Sequence, residues 1–330
     1  MRFSLRLNND LRIDDYVALA QAAEGAGFDQ LWISNDLFLR SAPVLLAALA
    51  PATRRIELGT CILNPHTIHP AELAMLAATL DELSGERFNL GLAAGAADFL
   101  AWVGIEDPRP VATMREAIGA IRAWLAGERP PAGRFVREPA AAYLRFAPRR
   151  VTPIYLGAMG PAMLRLAGEL ADGALPLLFP PEHYFAVRPL IDEGLRRRDS
   201  SLGALDLAAC IWVSLADDAA AARRALAAKI AYYGHALGPL ILERLGLTRE
   251  DFTAIERVVT VDRDLERAGA MVDDRMLRIG VAGSPDALVT RLRPLVEAGV
   301  RHLSFGPPLG PDPLRAVELL GRHVLPALRG

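Results

Sequence analysis

Lysine is nearly missing from this chain. Lys229 is the only one among 37 basic residues, and arginine supplies the rest. The bias reads as genome composition, GC-rich, rather than as a binding patch. With a formal net charge of −2 there is no electrostatic reason to expect nucleic acid or an anionic membrane surface as partner. Aromatics are scarce at 6% against 52% hydrophobic residues, so the core must be aliphatic. The two cysteines, Cys61 and Cys210, stand far apart in apolar segments, which argues against a disulfide framework. No apolar run is long enough to span a bilayer. The N-terminus MRFSLRLNND reads as a strand over Phe3–Leu7 and lacks the apolar core of a signal peptide, so a cytoplasmic protein is expected. His66 and His69 have HxxH spacing, yet no carboxylate or cysteine stands at ligand spacing and His69 precedes Pro70 at a helix start; no metal is expected.

What is present is a regular alternation of short β-branched or apolar runs with longer stretches of helical periodicity, the pattern of a parallel sheet wrapped by helices. Strands are predicted near Phe3–Leu7, Gln30–Ile33, Ile56–Cys61, Phe88–Ala93, Ile154–Leu156, Gly173–Leu177, Asp206–Ser214 and His302–Phe305. Helices are predicted over Asp14–Ala26, Ala42–Ala50, Pro70–Leu83, Val111–Leu125, Pro161–Ala171, His183–Arg197, Asp217–Tyr232, Pro285–Ala298 and Asp312–Leu328. Eight strands each followed by a helix argue for one closed (β/α)8 TIM barrel over residues 1–330 rather than an open sheet. Residues 127–152, with Pro130-Pro131 and Pro148, read as a long loop, and 234–282 as several short helices; both are taken as insertions at the barrel mouth.

Two places carry binding chemistry. Between Gly59 and Gly95 a strand, an Asn64-Pro65 turn, a helix opening on Pro70 and a second strand form a βαβ unit. Its two strand ends lie where α/β folds place ligands. The turn Gly157-Ala158-Met159-Gly160-Pro161 joins a strand to a helix, so its backbone N–H groups suit a phosphate. The alternative is a tight turn that needs glycine and binds nothing.

The words in this unit, together with Ala-Gly-Phe-Asp-Gln-Leu-Trp-Ile (26–33), Pro-Ile-Tyr-Leu-Gly-Ala-Met-Gly-Pro-Ala-Met-Leu (153–164), Ala-Gly-Glu-Leu-Ala-Asp-Gly-Ala (167–174), Gly-Ser-Pro-Asp (283–286) and Gly-Pro-Pro-Leu-Gly-Pro-Asp (306–312), resemble the bacterial luciferase-like superfamily in the same order. They resemble especially its deazaflavin-dependent branch, typified by methylenetetrahydromethanopterin reductase. The resemblance implies a luciferase-like barrel that uses coenzyme F420 and moves hydride to or from a C=N or C=C bond of a small molecule. It places the cofactor phosphate on Gly157–Pro161 and makes Asn35, Cys61, Ile62, Asn64, Gly95 and Ala96 further cofactor-binding residues. It also implies a non-proline cis peptide at Cys61–Ile62 behind the ring. Cys61 itself is not expected to be a nucleophile, since a thiol in an apolar strand has a raised pKa. His66, Leu177 and Phe179 are carried over as substrate-side residues, and a homodimer or higher homo-oligomer is implied.

The departures matter as much. Where the reductases have an acidic residue on the first strand this chain has Arg6; where they have Thr-Asp-His it has Ser34-Asn35-Asp36; and Ala96 replaces an aspartate, leaving Asp98 nearest. The acid–base set is rewritten, with Asp36, Arg6 and Asp98 as catalytic candidates. A buried Arg6 should pair with Asp36 or with an anionic ligand. Two other functions stay open: an FMN-dependent luciferase-type monooxygenase with a partner flavin reductase, and a non-catalytic flavin-binding paralogue.

Overall fold

The computed structural model describes residues 1–329, for Leu240 the backbone alone. Strands run β1 Arg2–Leu7, β2 Gln30–Ile33, β3 Glu57–Thr60, β4 Phe88–Leu92, β5 Ile154–Leu156, β6 Gly173–Ala174, β7 Asp206–Leu215, β8 Val281–Gly283 and β9 His302–Leu309. Helices run α1 Ile13–Ala26, α2 Ala42–Ala52, α3 Pro70–Ser84, α4 Ala97–Ala101, α5 Pro110–Leu125, α6 Pro161–Leu170, α7 Tyr184–Leu195 and α8 Ala219–Tyr233. They continue with α9 Pro239–Leu245, α10 Glu250–Arg257, α11 Leu265–Ala270, α12 Asp274–Leu277, α13 Pro285–Glu297, α14 Pro313–Leu319 and α15 Leu325–Arg329.

All strand pairings are parallel. β1 through β7 pair in sequence order, β7 pairs β9, and β9 returns to β1, which closes an eight-stranded barrel. The eight ring strands are the eight expected from sequence. The ninth, β8, was not expected: three residues pair only with the outer end of β7, Val213–Leu215, and they begin at the end of the 234–282 stretch that reads as short helices. β6 is shorter than predicted, Gly173–Ala174 in place of Gly173–Leu177, with Leu177 held by a single bridge to Cys210. The helix expected over His183–Arg197 opens with a 3-10 turn at Pro181–His183 and ends at Leu195. The last one is interrupted by a π segment at Leu320–Val324.

The local chemistry explains these bounds. In α3, Pro70 takes the first-turn position, where its missing N–H costs nothing, and the His69 ring accepts from Ala71 N–H at 3.1 Å. His69 is thus a helix cap. In β1, Phe3, Leu5 and Leu7 point to the helical shell, while Ser4 and Arg6 point into the barrel by the two-residue period of a strand. Residues 127–152 contain no helix or strand. Residues 234–280 fold into short helices whose Ile241, Leu245, Phe252 and Met276 bury against Ile230 of α8 and Trp212 of β7.

The lower barrel is polar and satisfied. Asp206 accepts from Tyr155 Oη at 2.8 Å and Arg2 at 3.1 Å and contacts His302 Nδ1 at 2.9 Å. His302 Nε2 meets Ser4 Oγ at 2.8 Å, and Glu57 accepts from Arg2, Gln30 and Asn89, each at 2.8 Å. Burial by itself would raise the Asp206 carboxyl, but the His302 hydrogen bond, with the charges of His302 and Arg2, holds it below the usual carboxylate range. A depressed carboxylate stabilises the fold above its unfolded pKa of about 4 and loses that contribution as pH falls through the folded value. Asp206→Asn should therefore cost about 1–3 kcal/mol at pH 7 by weakening the acceptor of the buried Tyr155 and His302, while Arg2 keeps Glu57, and should flatten the acid limb of a stability–pH curve followed by calorimetry. A variant with wild-type acid sensitivity would remove Asp206 from that role.

Candidate active site

Above this network Trp32, Tyr155, Leu175, Ala208 and Cys210 fill the barrel centre, with Cys61, Ile62 and Leu177 against them. They form an apolar floor under the mouth. The Cys61–Ile62 peptide is cis, at the carboxyl end of β3, in agreement with the expectation. The Cys61 thiol is pushed up to about 12 by burial, so it stays a neutral thiol.

The turn after β5 meets the chemical requirement for a phosphate or other anion. Gly157 N–H is spent on Leu92 O at 2.7 Å, but the N–H groups of Ala158, Met159 and Gly160 donate to nothing among the described residues. Gly160 is the N-cap of the ten-residue α6 and offers no side chain to cap it. Met159, Gly160, Pro161 and Ala162 are open to solvent. A helix N-terminus that begins uncapped, beside unused N–H groups, is a site for negative charge.

Several candidates are otherwise engaged. Asn35 Oδ1 accepts from Ala42 N at 3.0 Å, and Asn64 Oδ1 accepts from His66 N and Thr67 N at 3.1 and 2.9 Å, so both side chains hold local turns. His66 lies 3.3 Å from Asp107, and its ring is held below the ordinary histidine range by burial, which outweighs that carboxylate. Asp107 also lies 3.6 Å from Arg134, so this contact ties the β3 loop to the 127–152 segment. Phe179 is buried against Trp212, ring centroids 4.5 Å apart, and forms a wall behind the site. Asp98 is exposed in the first turn of α4; Ala96 caps that helix and Gly95 precedes it at φ 84°.

Arg6 does not pair with Asp36. Its Nε donates to Ser304 Oγ at 3.2 Å and its Nη2 to Ile211 O at 3.0 Å, and no carboxylate lies within 4.0 Å of it among the described residues. Strand geometry decides this: Arg6 faces inward toward β7 and β9, whereas Asp36 sits on the loop beyond β2, its backbone tied to Asn9. Gly306 makes the room, since a Cβ there would lie 2.3 Å from Arg6 Nη2. Burial pushes the Asp36 carboxyl above its usual range, against the opposing charge of Lys229.

Lys229 was not singled out from sequence as a site residue. It reaches from α8 into the mouth, with Nζ 3.8 Å from the Tyr233 ring centroid and 5.3 Å from that of Trp212. Its uniqueness in the composition was the available signal.

A closed parallel barrel with an apolar floor, an uncapped helix at its carboxyl rim and a buried guanidinium defines a (β/α)8 enzyme of the kind that binds an anionic cofactor at the mouth. The chain belongs to the luciferase-like monooxygenase family, which it matches over residues 1–302. It is 32% identical over 333 residues to a 5,10-methylenetetrahydromethanopterin reductase of Archaeoglobus fulgidus, covering 100% of both chains. It is also 32% identical to an F420-dependent glucose-6-phosphate dehydrogenase of Beutenbergia cavernae, over 96% of this chain and 93% of that one. Among solved structures, the coenzyme F420-dependent tetrahydromethanopterin reductase of Methanopyrus kandleri superposes with a TM-score of 0.90 at 30% identity, covering 99% of each chain.

Proposed function

We infer that this chain is a coenzyme F420-dependent oxidoreductase that moves hydride between reduced deazaflavin and a C=N or C=C bond of a small molecule. The observation that carries the reading is the uncapped Ala158–Gly160 turn at the barrel mouth, in a chain whose full-length relatives are F420-dependent enzymes. When bound, the deazaflavin supplies the hydride chemistry. The protein's own groups do the rest. Backbone N–H groups of Ala158–Gly160 and of the first turn of α6 would hold the phosphate. The Cys61–Ile62 backbone, Gly95 and Ala96 line the ring, while the apolar floor excludes water beneath it. Arg6 meets an anionic group of the substrate, because it is a buried cation with only neutral acceptors. Asp36 steadies the charge of Lys229 from across the mouth. The same reading takes the chain as a homo-oligomer working in the cytoplasm, which light scattering and fractionation check.

Titration of the purified protein should show micromolar binding of F420 and much weaker binding of FMN, with single-turnover oxidation of reduced F420 insensitive to oxygen. Oxygen-dependent turnover with FMN would transfer the chain to the monooxygenase reading.

A further inference from the structure

At the carboxyl ends of β1 and β9, against α8, lies a cavity of about 480 Å³ whose lining includes Asn8, Asp10, Tyr232, Tyr233, Leu265 and Pro307. That is room for a small substrate. Lys229 lines it as the one lysine of the chain. Its ammonium lies over the Tyr233 face, has no carboxylate within 4.0 Å and makes no hydrogen bond among the described residues. Of the other groups at the mouth, Asp36 lies outside the cavity lining, Arg6 is engaged by Ser304 and Ile211 O, His66 is held by Asp107, Asp98 is exposed, and the thiol of Cys61 sits in the floor.

We propose that Lys229 is the acid of this site, its ammonium protonating a neutral conjugated acceptor, such as an enone, as that acceptor takes up hydride. This rests on the F420 reading above. The acceptor's β-carbon gains hydride and its two electrons, which reduced deazaflavin loses. The C=C electron pair shifts toward the carbonyl oxygen, where a new O–H bond forms as an N–H bond of Lys229 breaks. The nitrogen keeps its electron pair, is left neutral and is protonated again by water. An acceptor that is already a cationic iminium needs no such proton, so the substrate class is the neutral one.

Burial brings the Lys229 ammonium down to about 8, against the raising charges of Asp10 and Asp36 and with a smaller lowering by Arg6. These are the charges that face it; α11 presents the apolar Leu265 and β9 presents Pro307 and Pro308. A group protonated below about 8 acts as acid below that pH and loses the role as pH rises through it.

The chain's single lysine makes the test direct. Reductive [13C]methylation labels Lys229 and the N-terminal amine, and the Lys229 resonance should titrate near 8 and move when 4-oxo-2-pentenoate, an enone with a carboxylate, is added to protein loaded with oxidised F420. In single turnovers with reduced F420, wild-type reduction of 4-oxo-2-pentenoate should fall above pH 8. Lys229→Met should slow it about a hundredfold while leaving F420 affinity and reduction of the permanent iminium 1-methyl-3,4-dihydroisoquinolinium within about threefold. Lys229→Arg should be slow with no alkaline fall. Equal losses on enone and iminium, an ordinary lysine titration near 10.4, or a loaded wild type inactive on the enone overturns the proposal. A wild type that binds no F420 overturns the F420 reading instead.

Discussion

Gly160→Asp should make the protein slightly more stable and its cofactor binding about a hundredfold weaker, roughly 2.7 kcal/mol. The two signs come from one place. Gly160 is the N-cap of α6 with φ −85° and ψ 154°, a conformation any residue adopts, and a Cβ added there meets nothing within 4 Å. Aspartate is among the best N-caps, and its charge faces the positive end of the helix dipole. Thermal unfolding should therefore report a gain of about 0.5–1 kcal/mol. The carboxylate would occupy the same N–H groups a phosphate needs and repel it as well. Gly160→Ala, which adds bulk but no charge, should leave F420 affinity within about threefold. If Gly160→Asp binds F420 as wild type does, the phosphate lies elsewhere.

This separation between what stability favours and what binding favours also explains what the sequence revealed. The eight ring strands and the outer helices were legible because alternation and 3.6-residue periodicity report burial directly, as in Phe3, Leu5 and Leu7 of β1 facing the helical shell. β8 was not legible, since it pairs with one end of β7 alone and begins inside the stretch whose pattern reads as short helices. The Gly157–Pro161 turn showed itself through glycine and proline at fixed positions. The partners of Arg6 did not. They are Ser304 and the carbonyl of Ile211, some 300 and 200 residues away in sequence, and only barrel closure brings them together. Lys229 was visible as a letter and hidden as a site, because a count of lysines says nothing about which face of α8 meets the mouth.

Arg6→Met should leave the barrel as stable as wild type or more so, yet abolish the enzyme's preference for an anionic substrate. An isolated buried guanidinium is costly, and here it is repaid only by neutral acceptors, so an apolar side chain of similar volume is a neutral or favourable exchange for the fold. The charge is explained by what it meets. With reduced F420, the wild-type kcat/KM for 4-oxo-2-pentenoate should exceed that for 3-penten-2-one, which has a methyl group in place of the carboxylate. A charge-assisted hydrogen bond of about 1.5–3 kcal/mol makes the ratio roughly 10–150. Arg6→Met should bring the ratio near one by raising KM, with F420 affinity within about threefold. Arg6→Lys should not restore it, because a point charge cannot reproduce the guanidinium fork. Gly306→Ala should act in the same direction and more weakly, its methyl pressing the guanidinium away from Ile211 O. For the same reason methylenetetrahydromethanopterin should be a poor substrate, since a cation stands where the resemblance to the reductases implies an acidic residue. Efficient turnover of that pterin, or a wild type indifferent to the carboxylate, would mean that the guanidinium of Arg6 serves the barrel wall and not the substrate.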